Sequence, residues 1–144
     1  MRLQGSTFLQ TVTSDGKQSG TKLDASVQTA SFNSAPFHVG RVLGYVVVVS
    51  CPSTGTPDGT VKLQGSIDLP NGDSDHPDVG VATWFDLTLY DEATGAAVVS
   101  QAVSGASTIS FTETDCFYKW FRLVWTETSG SITITAKCQF KGIG

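Results

Sequence analysis

Few side chains in this sequence belong to types that make or break bonds. It has two histidines, His38 and His76. General acid–base and nucleophilic chemistry both need a histidine or carboxylate poised by a partner. His38 stands in P-F-H-V-G at the entry to an apolar run and reads as a packed or edge histidine. His76 stands in an acidic loop, with nothing in the sequence to hold it in place. No G-x-S-x-G, H-E-x-x-H or glycine-rich phosphate loop occurs. The expectation is a protein that is not an enzyme, with no catalytic residue, no cofactor-binding residue and no cofactor.

Asp68, Asp73, Asp75 and Asp78 cluster around Asn71. Calcium takes about six to eight oxygen ligands, which such a loop supplies in part. The spacing matches no EF-hand, and no Glu closes the loop at its twelfth position. No metal ligand is assigned, and the cluster reads as a solvated loop, with calcium as the alternative. Cys51, Cys116 and Cys138 show no C-x-x-C spacing and no neighbouring His pair. An odd count argues against a full disulfide framework and suits a reducing compartment. Cys51 and Cys116 both fall at expected strand ends, so one bridge between them stays open. Cys138 falls on the apolar face of the last strand, as a small buried hydrophobe.

Three tryptophans, Trp84, Trp120 and Trp125, raise sugar binding, because an exposed aromatic face stacks on the CH-rich face of a sugar ring. Trp120 and Trp125 have opposite strand parity. At least one of them therefore belongs to the core.

The 144 residues suit one domain. A chain of this length buries roughly two-thirds of its unfolded surface and needs no staples. Hydrophobic residues make up 40% and charged residues 15%, which excludes a disordered chain. Ser plus Thr come to about a quarter, beside 15 Gly, a turn-rich β composition. The net charge of −4 leaves no broad basic face, so no direct nucleic-acid partner is expected. The longest apolar run, Tyr45–Val49, is far shorter than the ~18 residues of a membrane span, so no membrane partner is expected. No basic start precedes an apolar stretch, so no signal peptide is expected.

The elements that must position these residues are strands. Leu3–Val12 reads as a short strand or an arm, and Thr13–Lys22 as a loop without apolar residues. Ala25–Phe32 has weak strand character. From Val42 to Val49 a nearly continuous, β-branched run predicts a central strand buried on both faces. Cys51–Gly59 reads as a loop. Thr60–Asp68 alternates, with Val61, Leu63, Gly65 and Ile67 on one face and Lys62, Gln64, Ser66 and Asp68 on the other. Leu69–Val79 is a long acidic loop. Thr83–Tyr90 puts Phe85, Leu87 and Leu89 opposite Trp84, Asp86, Thr88 and Tyr90. Ala96–Val103 returns after a turn at Asp91–Gly95, and Thr108–Thr112 is short. Phe117–Thr126 is the most aromatic strand, apolar on both faces except at Lys119 and Arg122. Ser131–Phe140 turns Ile132, Ile134, Ala136, Cys138 and Phe140 inward. The fold class is all-β: an antiparallel two-sheet sandwich, jelly-roll-like, of about eight strands. Residues 1–40 form an arm or first strands of the same domain, and residues 41–144 its sandwich body.

Three segments carry a family resemblance: G-T-V-K-L-Q-G-S-I-D (Gly59–Asp68), W-F-D-L (Trp84–Leu87) and F-Y-K-W-F-R-L-V-W-T-E-T-S-G-S-I-T-I-T-A (Phe117–Ala136). Together with a closing K-G, they resemble small structural proteins of tailed bacteriophages over roughly the second half of the chain. The acidic Leu69–Val79 stretch departs from the tighter loop of that pattern, and the first 40 residues have no counterpart in it. A related signature occurs in discoidin-like sandwiches, which keeps the carbohydrate-binding alternative open.

The resemblance implies a virion protein assembled in the bacterial host cytoplasm. Its leading form is a capsid decoration (cement) protein that bridges major capsid subunits; the alternative is a tail, adaptor or fibre-associated component. The implied partners are the major capsid protein or other virion proteins, and further copies of the chain as a trimer or dimer. Contact would fall to Met1–Lys22 first, then to the loops Cys51–Gly59 and Leu69–Val79.

Overall fold

A computed structural model describes residues 3–8, 24–34, 36–39, 42–51, 56–67 and 83–143. These form thirteen strands and no helix. In chain order they are β1 (Leu3–Phe8), β2 (Asp24–Gln28), β3 (Phe32–Asn33), β4 (Phe37–His38), β5 (Val42–Cys51), β6 (Asp58–Ser66) and β7 (Phe85–Asp86). The chain continues through β8 (Leu89–Tyr90), β9 (Ala97–Val98), β10 (Ser100–Ser104), β11 (Ser107–Glu113), β12 (Trp120–Ser129) and β13 (Ile132–Ile143).

All pairings are antiparallel, and they build two sheets. The first runs β1-β13-β5-β11-β8-β9, with β2 also paired to β13. The second runs β10-β6-β12-β3, with β4 also on β12 and β7 on β6. The winding is that of a jelly roll when β3 and β4 are taken as one interrupted strand. Strands β2, β13, β5 and β11 make the body of one sheet; β3/β4, β12, β6 and β10 make the other. The chain crosses between sheets at almost every step, so each sheet consists of strands distant in sequence. Six expected strands, Ala25–Phe32, Val42–Val49, Thr60–Asp68, Thr108–Thr112, Phe117–Thr126 and Ser131–Phe140, supply β2, β5, β6, β11, β12 and β13 of this body, while those expected at Thr83–Tyr90 and Ala96–Val103 are each split between the sheets. The further pieces arise because the stretch from Phe85 to Ser104 changes sheets: β7 joins β6, β8 and β9 join the first sheet, and β10 returns to β6.

The core lies between the sheets. Tyr45, Val47, Val49 and Cys51 of β5 meet Val61 and Leu63 of β6, Phe121, Leu123 and Trp125 of β12, and Ile132, Ile134 and Ala136 of β13. The period-2 readings of β6 and β13 hold at these positions. β5 is central, between β13 and β11, but it is not buried on both faces. Val48 points away from the core and is 36% exposed. An antiparallel sheet needs only one dry face, and β-branched residues are tolerated on the wet one.

The aromatic strand also starts later than expected, at Trp120. Phe117 stands outside it, 87% exposed, and Ile67 lies past the end of β6, 64% exposed. Ser34 ties the second sheet together: its N–H donates to the Leu123 carbonyl, and its hydroxyl accepts from the Leu123 N–H at 2.9 Å.

Candidate functional site

The outward face of the second sheet carries an ordered polar row. Register places Asp86 of β7 opposite Gln64 of β6, and Gln64 opposite Arg122 of β12. These three share a face because residues directly opposite one another on paired strands point to the same side of the sheet. Both Nε and Nη2 of Arg122 donate to Gln64 Oε1, at 3.0 and 2.8 Å. Gln64 Nε2 donates to Asp86 Oδ1 at 2.9 Å, which fixes which way the amide points. Lys62, two residues before Gln64 on the same face, pairs with Asp86 at 3.0 Å. The hydrogen bond from Gln64, then that from Lys62, holds the Asp86 carboxyl below its usual range. Arg122 lies over the Trp84 ring, 4.3 Å from its centroid, in cation–π contact. Burial pulls the Arg122 pKa down from its ordinary value, since the cation is half out of water.

A second feature occupies one end of the sandwich. The Lys119 N–H donates to the Ser66 carbonyl, and Phe85 stands opposite Gly65. Ile67, Phe85 and Phe117 therefore sit at the same end, 64%, 41% and 87% exposed. The buried Tyr118 ring stands edge-on to that of Phe85 at 6.2 Å. The Tyr118 hydroxyl meets that of Tyr45 on β5 and donates to Glu113 at 3.4 Å, which ties the β11–β12 connection to the first sheet. Burial, then the neighbouring Tyr45, pushes the Tyr118 pKa far up, so this hydroxyl stays protonated. Gly65 has no room for a side chain here: an added Cβ would stand 2.9 Å from Leu87 and 3.1 Å from both the Phe85 and Tyr118 rings.

The expected site residues fare unevenly. Trp125 is core, as parity allowed, and Trp120 is equally buried although it faces outward; each is 1% exposed. Trp120 stands opposite Ser66 on one side and His38 on the other. Neither presents a ring to a sugar, and one face of Trp84 is taken by Arg122. Cys51 and Cys116 do not meet. The Cys116 N–H bonds to the carbonyl of Leu43 at the start of β5, while Cys51 ends that strand, about 25 Å away. Both are free thiols; burial raises the pKa of each, that of Cys51 to about 11.

The side chains of His38 and Cys138 lie outside the described residues, as do His76, Asp68, Asp73, Asp75, Asp78 and the whole Leu69–Val79 loop. Of Met1–Lys22, only Leu3–Phe8 is described, as β1 paired with β13. Of Cys51–Gly59, residues 52–55 lie outside. Pro57 at its far end accepts a hydrogen bond from the Gly105 N–H. Among the described residues, no group of three or more His, Cys, Asp or Glu is placed to hold a metal. No helix there is long and apolar enough to cross a membrane.

Sequence reasoning missed the row on the second sheet and the apolar rim. The row had a signal: Arg122 interrupts the most apolar strand, and Gln64 occupies a polar position of the alternating one. Which residues stand beside them depends on the register of three strands.

No protein-family model and no curated protein matches the chain. Among solved structures it is similar in fold to the SPBc2 prophage-derived protein YomS. That match has a TM-score of 0.59 and 12% identity, and covers 99% of this chain and 96% of that one. A further similarity is to the CBM22-1–GH10 modules of the Clostridium thermocellum endo-1,4-beta-D-xylanase 10B, complexed with xylohexaose. There the TM-score is 0.45 and the identity 11%, and the match spans 97% of this chain but only 28% of that longer one.

Proposed function

We propose that this chain is a structural protein of a bacteriophage virion, a capsid decoration protein that works by contact and turns over no substrate. The observation that carries the reading is the apolar rim of Ile67, Phe85 and Phe117, two of them more than half exposed. Covering a phenylalanine such as Phe117 is worth about 1.5–3 kcal/mol, so a face of this kind favours a bound state. The end-to-end fold likeness to a prophage-derived protein supports looking for that partner in a virion. In this reading the rim docks on major capsid subunits. Binding that is available only to the closed shell weights the closed shell over the broken one.

The test is copy number and position. Purified virions should contain the chain in a fixed ratio to the major capsid protein, and a particle reconstruction should show it on the shell. Recombinant chain should bind shells, and Phe117→Asp should cut that binding about tenfold while the sandwich stays folded. Absence from virions, or equal shell binding by Phe117→Asp, would overturn the proposal.

A further inference from the structure

We propose that Arg122 is a receptor for a carboxylate group presented by a partner protein. Three observations on the second sheet carry it. Gln64 Oε1 takes two of the guanidinium hydrogens, from Nε and Nη2. The group has five, so three donors, both on Nη1 and one on Nη2, have no acceptor among the described residues. The guanidinium is also held before any ligand arrives: Trp84 backs it at 4.3 Å, and the Asp86–Gln64 hydrogen bond fixes the amide that grips it.

The third observation concerns charge. The one carboxylate in the row, Asp86, is paired to Lys62 and separated from Arg122 by a neutral amide. Two cations and one anion leave a net positive charge, and it sits at Arg122. A half-buried cation without a counter-ion is costly, and a ligand that supplies the counter-charge recovers that cost.

The free donors form a planar fork, which matches the two oxygens of a carboxylate. A polyanion fits less well, because the chain is itself acidic and this row offers one unpaired charge. The assignment of the carboxylate to another protein rests on the contact role proposed above. The chemistry at Arg122 does not, and the first experiment needs no virion.

Full-length chain is titrated with sodium acetate, with sodium chloride and sodium phosphate at matched ionic strength as controls. The Arg122 Nε–H and Trp84 indole resonances report. Acetate should shift both together and saturate, chloride should not, and phosphate should act more weakly. Arg122→Lys keeps the charge and loses the fork, and should weaken the response about tenfold. Gln64→Glu removes no group at Arg122 but sets a carboxylate against it, and should abolish the response. It stands in if Arg122→Lys fails to fold.

The chain's own Asp68, Asp73, Asp75 and Asp78 are the other source of such a group, and a variant with all four changed to Asn separates the two. An unchanged response supports an external carboxylate. A response seen only in that variant assigns the group to this chain and overturns the proposal, as would equal shifts with chloride or persistence in Gln64→Glu. Arg122→Lys should also weaken shell binding. If it does not while Phe117→Asp does, the contact role stands and the carboxylate assignment falls.

Discussion

The two sheets turn quite different faces to the outside. On the first, Val46, Ser110 and Thr112 are partly exposed, and Val48 and Tyr90 are 36% and 46% exposed. Water reaches these positions, although Thr133 of β13 on the same side is buried. On the second, Trp120 and Ser66 are buried, and Gln64 and Arg122 are half-buried in a hydrogen-bonded row backed by Trp84. The same period-2 alternation produces both. Parity assigns a side chain to a face; it does not say whether water reaches that face. Among the described residues, the second sheet holds Trp84, Gln64 and Arg122 in one continuous arrangement, which a recognition surface requires, whereas the first sheet holds Glu92 against Ser110 and Thr112 at its edge.

Truncating matched tryptophans separates the two outer faces most sharply. Trp125→Ala in the core and Trp120→Ala on the outer face should each cost about 3–5 kcal/mol in urea unfolding. Val48→Ala on the first sheet should stay within about 0.5 kcal/mol. A Trp120→Ala cost as small as that of Val48→Ala would mean that the two outer faces are alike after all. Gly59→Ala comes next. An added Cβ would lie 2.2 Å from the Thr126 carbonyl oxygen and 2.6 Å from the Trp125 ring, where β6 and β12 pair tightly. A loss of roughly 2–3 kcal/mol is expected, because backbone cannot yield as a side chain does.

At the rim, Tyr118→Phe removes the hydroxyl that joins Tyr45 and Glu113, and should cost about 1–2 kcal/mol. Cys51 sharpens the contrast through pH. Its thiol is pushed up to about 11 from an ordinary 9.0 by burial. Between these values the unfolded thiol has lost its proton while the folded one keeps it, so stability falls as pH rises from about 9 to 11. Cys51→Ala should flatten that slope in unfolding curves taken across the window.

The smallest effect is on the second sheet itself. Lys62→Ala breaks an exposed pair and should move stability by no more than about 0.5 kcal/mol. Asp86 has a lowered pKa, so its small contribution is present above the ordinary carboxylate range and fades as pH falls. Gln64→Ala should raise the Asp86 titration midpoint in an NMR titration, because the first hydrogen bond to that carboxylate is gone.

Much of this molecule is legible in one dimension. The all-β class follows from β-branched runs, frequent turns and alternating strands. The inward sets Val61, Leu63 and Ile132, Ile134, Ala136 follow from strict alternation, because successive side chains on a strand must point to opposite sides. The two-sheet arrangement follows from the need to hide those sets. What alternation cannot supply is which strands become neighbours. Asp86, Gln64 and Arg122 are far apart in the chain and stand side by side only because β7, β6 and β12 pair in one register. The burial of Trp120, the separation of Cys51 from Cys116 and the gathering of Ile67, Phe85 and Phe117 at one end have the same origin. Local propensity acts between residues a few positions apart. Sheet pairing acts across the whole chain, and the chemistry of this surface belongs to the pairing.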